Sequence, residues 1–353
     1  MPRLVGRASM ISRPANTPPA ATAQPIDGRL AHDDFRSDRT FQLPDRVITR
    51  DAIIRFGRRY DPQPFHIDDR AARASILKGL AASGWHSCTV YMSALQEGLL
   101  QHCADARLFA IDEIKWLFPV RPESRLEGTV RARAIEEPGP WPGSGQVELD
   151  CIATDENGRR VMTWKARMAV TGFNANGSMA AASGMTVEDI GRQPGALAYF
   201  DDVSVGDEAD LGNHQFTTAA IHEFTDEFKL GAQDARPDGG SRCDADPWHI
   251  AAVSMSQLVR YYLKETASLR RQSLPVPGLG PSPGIRHVRW HHPVKPGQRL
   301  SFRAWTVQKT PISPQSNWGL LTGACAAMDE NGRMVLTFEG QLLLERRPLL
   351  ASD

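Results

Sequence analysis

The sequence predicts an α+β protein made of two tandem copies of one domain, each a long helix wrapped by an antiparallel sheet. Three observations lead there. The chain repeats itself, each copy carries one apolar helical stripe, and short strand-like runs separated by turn signals follow that stripe. Length agrees, since 353 residues exceed what a single hydrophobic core serves, about 250 to 300.

The repeat is clearest at an offset of 174, where Asp155-Glu156-Asn157-Gly158-Arg159 recurs as Asp329-Glu330-Asn331-Gly332-Arg333. The same offset aligns Trp116 with Trp290, Pro119-Val120 with Pro293-Val294, and Arg125-Leu126 with Arg299-Leu300. One register held over about fifty residues is hard to attribute to chance. Upstream, insertions change the offset to 163, which pairs Trp85-His86 with Trp248-His249 and Met92-Ser93 with Met255-Ser256. Near the start of each copy it is 168, with Ile53 and Phe56 answering Ile221 and Phe224. The expected layout is a disordered Pro- and Arg-rich tail over 1–33, a first domain over 34–173 and a small-residue linker over 174–195. A second domain over 196–347 and a short tail over 348–353 complete it.

Within the first copy, Trp85, Cys88, Met92, Leu95 and Leu99 recur at spacings of three and four, the stripe of a helix with one buried face. Trp248, Ala251, Met255, Leu258 and Tyr262 repeat it. Strand character follows at 107–114, 126–134, 146–153 and 160–170, and the Asp-Glu-Asn-Gly run reads as a hairpin turn whose Asn-Gly supplies positive φ angles.

Composition narrows the function. Hydrophobic residues at 41% and charged residues at 23% are ordinary globular values. Lys plus Arg (41) equals Asp plus Glu (41), so no overall field draws the chain to nucleic acid or an anionic membrane. No stretch approaches the ~18 uncharged apolar residues of a membrane span. The five cysteines, Cys88, Cys103, Cys151, Cys243 and Cys325, are scattered and never in a CxxC pair, which argues against a disulfide framework or a structural zinc site. A cytoplasmic home is expected; the Arg-rich, acid-poor start would suit a mitochondrial presequence, and so the matrix, in a eukaryotic source.

The densest cluster of unusual residues is Tyr60-Asp61-Pro62-Gln63-Pro64-Phe65-His66-Ile67-Asp68, followed by Leu80-Ala81-Ala82-Ser83-Gly84-Trp85-His86. Prolines 62 and 64 are expected to forbid a helix and to bend the chain. If the bend brings Asp61 and His66 together, a carboxylate and an imidazole share a water and can both remove and return a proton near neutral pH. The alternative from spacing alone is structural: Asp-Pro opens turns, and Asp68 or Asp69 could cap the helix containing Ala71 and Ala72.

The run from Tyr60 to Met92 resembles the signature of the MaoC-like hydratase/dehydratase family, an Asp-x-Asn-Pro-x-His motif followed by a small-Gly segment at the start of a central helix. The resemblance implies the hot-dog fold, here as a double hot-dog packed as a pseudo-dimer, and reversible hydration of a 2-enoyl thioester, usually to the (R)-3-hydroxyacyl product. It places Asp61 and His66 on the catalytic dyad and Gly84 on the position whose backbone N–H binds the thioester oxygen. Such an N–H, at a helix start, stabilises the negative charge that develops there, and glycine admits close approach. Gln63 stands where the family has Asn, and Phe65 replaces a smaller aliphatic residue. Neither metal nor redox cofactor is implied. The substrate is carried as a coenzyme A or phosphopantetheine thioester, on CoA or an acyl-carrier protein, and the double hot-dog could itself dimerise.

In the second copy Asp61 corresponds to Lys229, His66 to Asp234 and Gly84 to Pro247, which has no N–H. That copy is expected to be catalytically dead. His86 and His249 occur in both copies and read as structural. Gln63, Phe65, Ser83 and Trp85 are expected to line the substrate site. Arg289 and Lys295, in the basic stretch 286–299, are candidates for the phosphates of the thioester carrier, with a solvated strand and turn as the alternative. No Walker loop, His-Glu-x-x-His helix or Gly-x-Ser-x-Gly elbow occurs. Two rival readings remain: a hot-dog acyl-CoA thioesterase, and a non-catalytic acyl-thioester-binding protein.

Overall fold

The computed structural model describes residues 29–173, 192–230 and 244–348. The stretches 1–28 and 174–191, which hold most of the expected tail and linker, lie outside them, as do Asp234 and Cys243. The first copy runs β1 (Arg39–Ile48), α1 (Arg50–Tyr60), α2 (Pro64–Ile67), α3 (Asp69–Ala74), α4 (Gly84–Gly98), β2 (Arg107–Trp116), β3 (Ser124–Pro138), β4 (Ser144–Thr154) and β5 (Arg160–Thr171). After β6 (Gln193–Pro194), the second runs β7 (Asp207–Gln215), α5 (Thr218–Phe228), α6 (Pro247–Arg271), β8 (Gly284–Trp290), β9 (Arg299–Pro311), β10 (Trp318–Met328) and β11 (Met334–Glu345). Among the described residues no helix is long and apolar enough to cross a membrane.

The strands form one 11-stranded sheet in the order β1-β3-β4-β5-β2-β8-β11-β10-β9-β7-β6. Its two halves mirror each other about the antiparallel β2–β8 pair, with Ile111 opposite Val288 and Ile114 opposite Ile285. The repeat holds at the level of atoms. In each hairpin turn the aspartate (Asp155, Asp329) accepts hydrogen bonds from the backbone of the Asn two residues on and the Arg four on, and from that Arg's Nε. Only the glycine is left-handed, Gly158 at φ 73° and Gly332 at φ 76°. Asn157 and Asn331 are not, so the turn uses one positive φ angle and a bulge rather than the expected Asn-Gly pair.

The stripe residues Trp85, Cys88, Met92 and Leu95 are all buried, each large apolar side chain contributing on the order of 1.5 to 3 kcal/mol. Helices α4 and α6 meet at the centre, where Trp85 packs edge-on against Trp248 and Trp164 stacks on it at 5.1 Å between centroids. The repeated tryptophans are therefore the seam of the pseudo-dimer. His86 stacks on Phe56 at 4.6 Å and His249 on Phe224 at 4.5 Å, both nearly parallel. Burial lowers the pKa of each to about 3, so both are neutral packing groups.

Candidate active site

Asp61 caps the C-terminus of α1 and is 2% exposed. Gln63 is extended, and Pro64 then opens a one-turn helix whose third residue is His66. The prolines therefore bend the chain as expected, but they do not forbid a helix: proline at a first helical position lacks only an N–H that would have no partner there. Asp68 caps α3, its carboxylate accepting from Ala71 N at 2.7 Å, so the structural role for that residue and the site role for Asp61 coexist.

The bend brings His66 Nε2 to 3.4 Å from Asp61 Oδ2. Ala81's carbonyl, which can only accept, lies 2.7 Å from His66 Nδ1, so Nδ1 carries a proton and the ring turns Nε2 to the carboxylate. Ser83 Oγ donates to Asp61 Oδ2 at 2.7 Å and Gln63 Nε2 donates to Oδ1 at 2.9 Å. Burial alone would raise the Asp61 pKa, but the charge and hydrogen bond of His66, with the bonds from Ser83 and Gln63, outweigh it and hold the pKa below the usual value. Gln63 thus holds the Asp61 carboxylate from two residues on.

Ser83 is the N-cap of α4, yet its side chain caps nothing because it is turned to Asp61. A lost cap costs about 0.5 to 2 kcal/mol, and the first N–H groups of the helix, Gly84's among them, stay directed away from any carbonyl of the preceding turn. The second copy does the reverse. There Asp246 caps α6 by accepting from Trp248 N at 2.8 Å, and Pro247 removes the N–H that would answer Gly84. Lys229 caps α5 where Asp61 caps α1.

Glycine at position 84 also meets a packing requirement. A Cβ there would lie 2.5 Å from Cε2 of Trp116, so glycine admits the indole against the helix start. The loop over His66 is tied down by Arg121, whose guanidinium donates to the carbonyls of Leu77, Gly79 (2.7 Å) and Leu80.

A cavity of about 470 Å³ contains this cluster. Asp61, His66, Gly84, Gln63, Phe65, Ser83 and Trp85 all border it, as does Trp116. Arg289 and Lys295 do not. Arg289 is held at the β2–β8 seam by Asp112 at 2.7 Å and the carbonyl of Ile111 at 3.0 Å, and Lys295 sits exposed in the loop before β9. The basic stretch is therefore a strand and turn in which Arg286 faces Glu339 and Arg289 faces Asp112.

Sequence reasoning missed where the cavity goes. From the dyad it continues into the second copy, between α6 and the sheet, past Met255, Leu258, Phe338 and Leu342 to Leu321 and Leu344. The signal lay in the repeat. Leu149, Ala166 and Trp164 fill the first copy's core, where the second has Gly323, Gly340 and Phe338, and Tyr91 becomes Ser254. At these four matched positions the second copy has the smaller residue, and there its core is hollow.

Residues 34–138 match the family model described as MaoC like domain. The chain contains a MaoC-like domain. Around it the fold is the double hot-dog. A protein of Chloroflexus aurantiacus J-10-fl described as a MaoC domain dehydratase superposes with a TM-score of 0.70 at 15% identity, covering 93% of this chain and 100% of its own. Rv0216 of Mycobacterium tuberculosis, described as having a double hotdog fold, gives 0.64 at 13% identity over 90% and 99%. At these identities the likeness concerns the fold. No curated protein matches the chain. The Asp61–His66 cluster falls inside the segment matched to the MaoC-like domain.

Proposed function

We propose that this protein is a hydro-lyase that reversibly adds water to a 2-enoyl thioester, with its chemistry confined to the MaoC-like first copy. The observation that carries the reading is the buried Asp61–His66 pair opening onto a cavity beside an uncapped helix start. A water held between His66 Nε2 and the Asp61 carboxylate gives up a proton to the pair as its oxygen bonds to C3 of the enoyl group. The negative charge that spreads onto the thioester oxygen is met by Gly84 N–H at the positive end of α4. The proton returns to C2, and elimination runs the same steps backwards. Ser83 and Gln63 keep Asp61 ionised and aimed.

The extension of the cavity into the second copy supports a long or bulky acyl group, with the thioester at the dyad and the hydrocarbon in the hollowed core. A pocket of this volume is of the size that buries a ligand rather than a water. The second copy then serves as receptacle for the first. Incubating the purified protein with 2-enoyl-CoA substrates of increasing length, and following loss of the enoyl absorbance beside release of free thiol, tests the reading. Hydration without thiol release is expected. Thiol release without hydration would make the protein a thioesterase, and binding with neither would make it a carrier.

A further inference from the structure

The far part of the cavity is largely apolar, with Tyr262, Thr306 and Gln341 among the neutral polar side chains that border it. Tyr262, on α6, borders it half-buried, and its phenol, beside Cys325, is pushed up in pKa by burial. Its hydroxyl makes no hydrogen bond to any described residue, which leaves both its donor and its acceptor capacity for a ligand. Thr306 borders the same cavity. It pairs with Gly323 across β9 and β10 while Ala304 pairs with Cys325, so Thr306 shares a sheet face with Cys325. Its hydroxyl likewise bonds no described residue.

The matched positions in the first copy are Leu99 and Ala132, both fully buried and apolar. At both positions the hollowed copy thus carries a hydroxyl where the filled copy carries a hydrocarbon side chain. No lysine or arginine borders the cavity. Of its acids outside the dyad, Glu208 is paired with Arg192 and Arg303, and Asp207 accepts from Gln193 and from the backbone of Ser204. A charged acyl terminus would therefore meet no counter-ion, and a plain hydrocarbon would bury two hydroxyls against methylenes.

We propose that the second copy recognises a neutral oxygen, a hydroxyl or keto group, on the distal part of the acyl chain through hydrogen bonds from Tyr262 and Thr306. This rests on the acyl-thioester reading of the site. The proteins to compare are the full chain, Y262F and T306V, each given pairs of 2-enoyl-CoA substrates of equal length with and without a keto or hydroxyl group walked along the chain. At one position the wild-type protein should favour the oxygenated member by about tenfold in kcat/KM, and each variant should bring that ratio towards one. A ratio near one at every position in the wild-type protein, or a preference that survives both substitutions, overturns the proposal. If no enoyl thioester is turned over, the hydratase reading has failed separately. The same pairs as saturated acyl-CoA, titrated by tryptophan fluorescence, then decide the matter by the same ratio in Kd.

Discussion

Replacing Gly323 with leucine restores to the second copy the residue that Leu149 supplies in the first. A Cβ at 323 would meet nothing nearer than the Trp305 carbonyl at 3.5 Å, and the backbone there is not left-handed, so the side chain enters the cavity without a clash. Leucine brings four carbons, which would displace about four methylenes of a bound chain. At ~0.8 kcal/mol per buried methylene the loss is ~3 kcal/mol, or on the order of 200-fold in kcat/KM for long enoyl chains. A four-carbon substrate, confined to the dyad end, should be turned over at the wild-type rate. Filling the void should also raise the melting temperature, since up to ~3 kcal/mol of new apolar burial is gained with little strain. The assay is a chain-length series in kcat/KM beside a thermal melt. Undiminished long-chain activity in Gly323→Leu would refute the assignment of the second copy as acyl receptacle. Loss of short-chain and long-chain activity together, with a lowered melting temperature, would refute the claim that the site is open space.

Three further outcomes are expected. Ser83→Ala removes one of the bonds that lower the Asp61 pKa; the acid limb of the pH–rate profile should move to higher pH, and an unmoved limb would separate Ser83 from the carboxylate's ionisation. Gly84→Ala drives a methyl into the Trp116 ring and should cost about 10²-fold or more in kcat by displacing the N–H from the developing charge; with Trp116→Ala as well, part of the activity should return if the ring is the obstacle. His86 and His249, held near a pKa of about 3 by burial, take up protons below ~6.5 only on unfolding, so stability should fall as the pH drops from ~6.5 towards 3. At pH 5 the two together cost ~4 kcal/mol at 1.36 kcal/mol per unit each, and equal urea midpoints at pH 7.5 and pH 5 would contradict their buried neutral state.

The fold was legible because duplication made each copy a check on the other. Trp85/Trp248 and the Asp-Glu-Asn-Gly turns predicted the central helices and the hairpins, and these stand where periodicity placed them. Strand β1 and the seam pairing of β2 with β8 were not legible, since both depend on partners more than seventy residues away that no local pattern names. At the site, Asp61, His66 and Gly84 were visible as a motif. What held them was not. The turn of Ser83 away from capping α4, the Ala81 carbonyl that fixes the His66 tautomer, and the indole against Gly84 are tertiary contacts between segments 15 to 32 residues apart. The basic stretch could not be judged from sequence, because charge there does not reveal that Asp112 already holds Arg289. The hollow in the second copy is recorded in the sequence as Gly323 opposite Leu149 and Gly340 opposite Ala166, but only the fold shows that these positions face one space.

The central claim is that one carboxylate–imidazole pair in the first copy carries the reaction. Steady-state hydration of crotonyl-CoA by the wild-type protein, Asp61→Asn and His66→Gln, beside a thermal melt of each, tests it most directly. Each substitution should lower kcat by at least about 10²-fold while the melt stays cooperative, and Lys229→Ala, at the matched position of the second copy, should retain full activity. Wild-type turnover in either dyad variant, or loss of turnover in Lys229→Ala with the fold intact, would contradict the account.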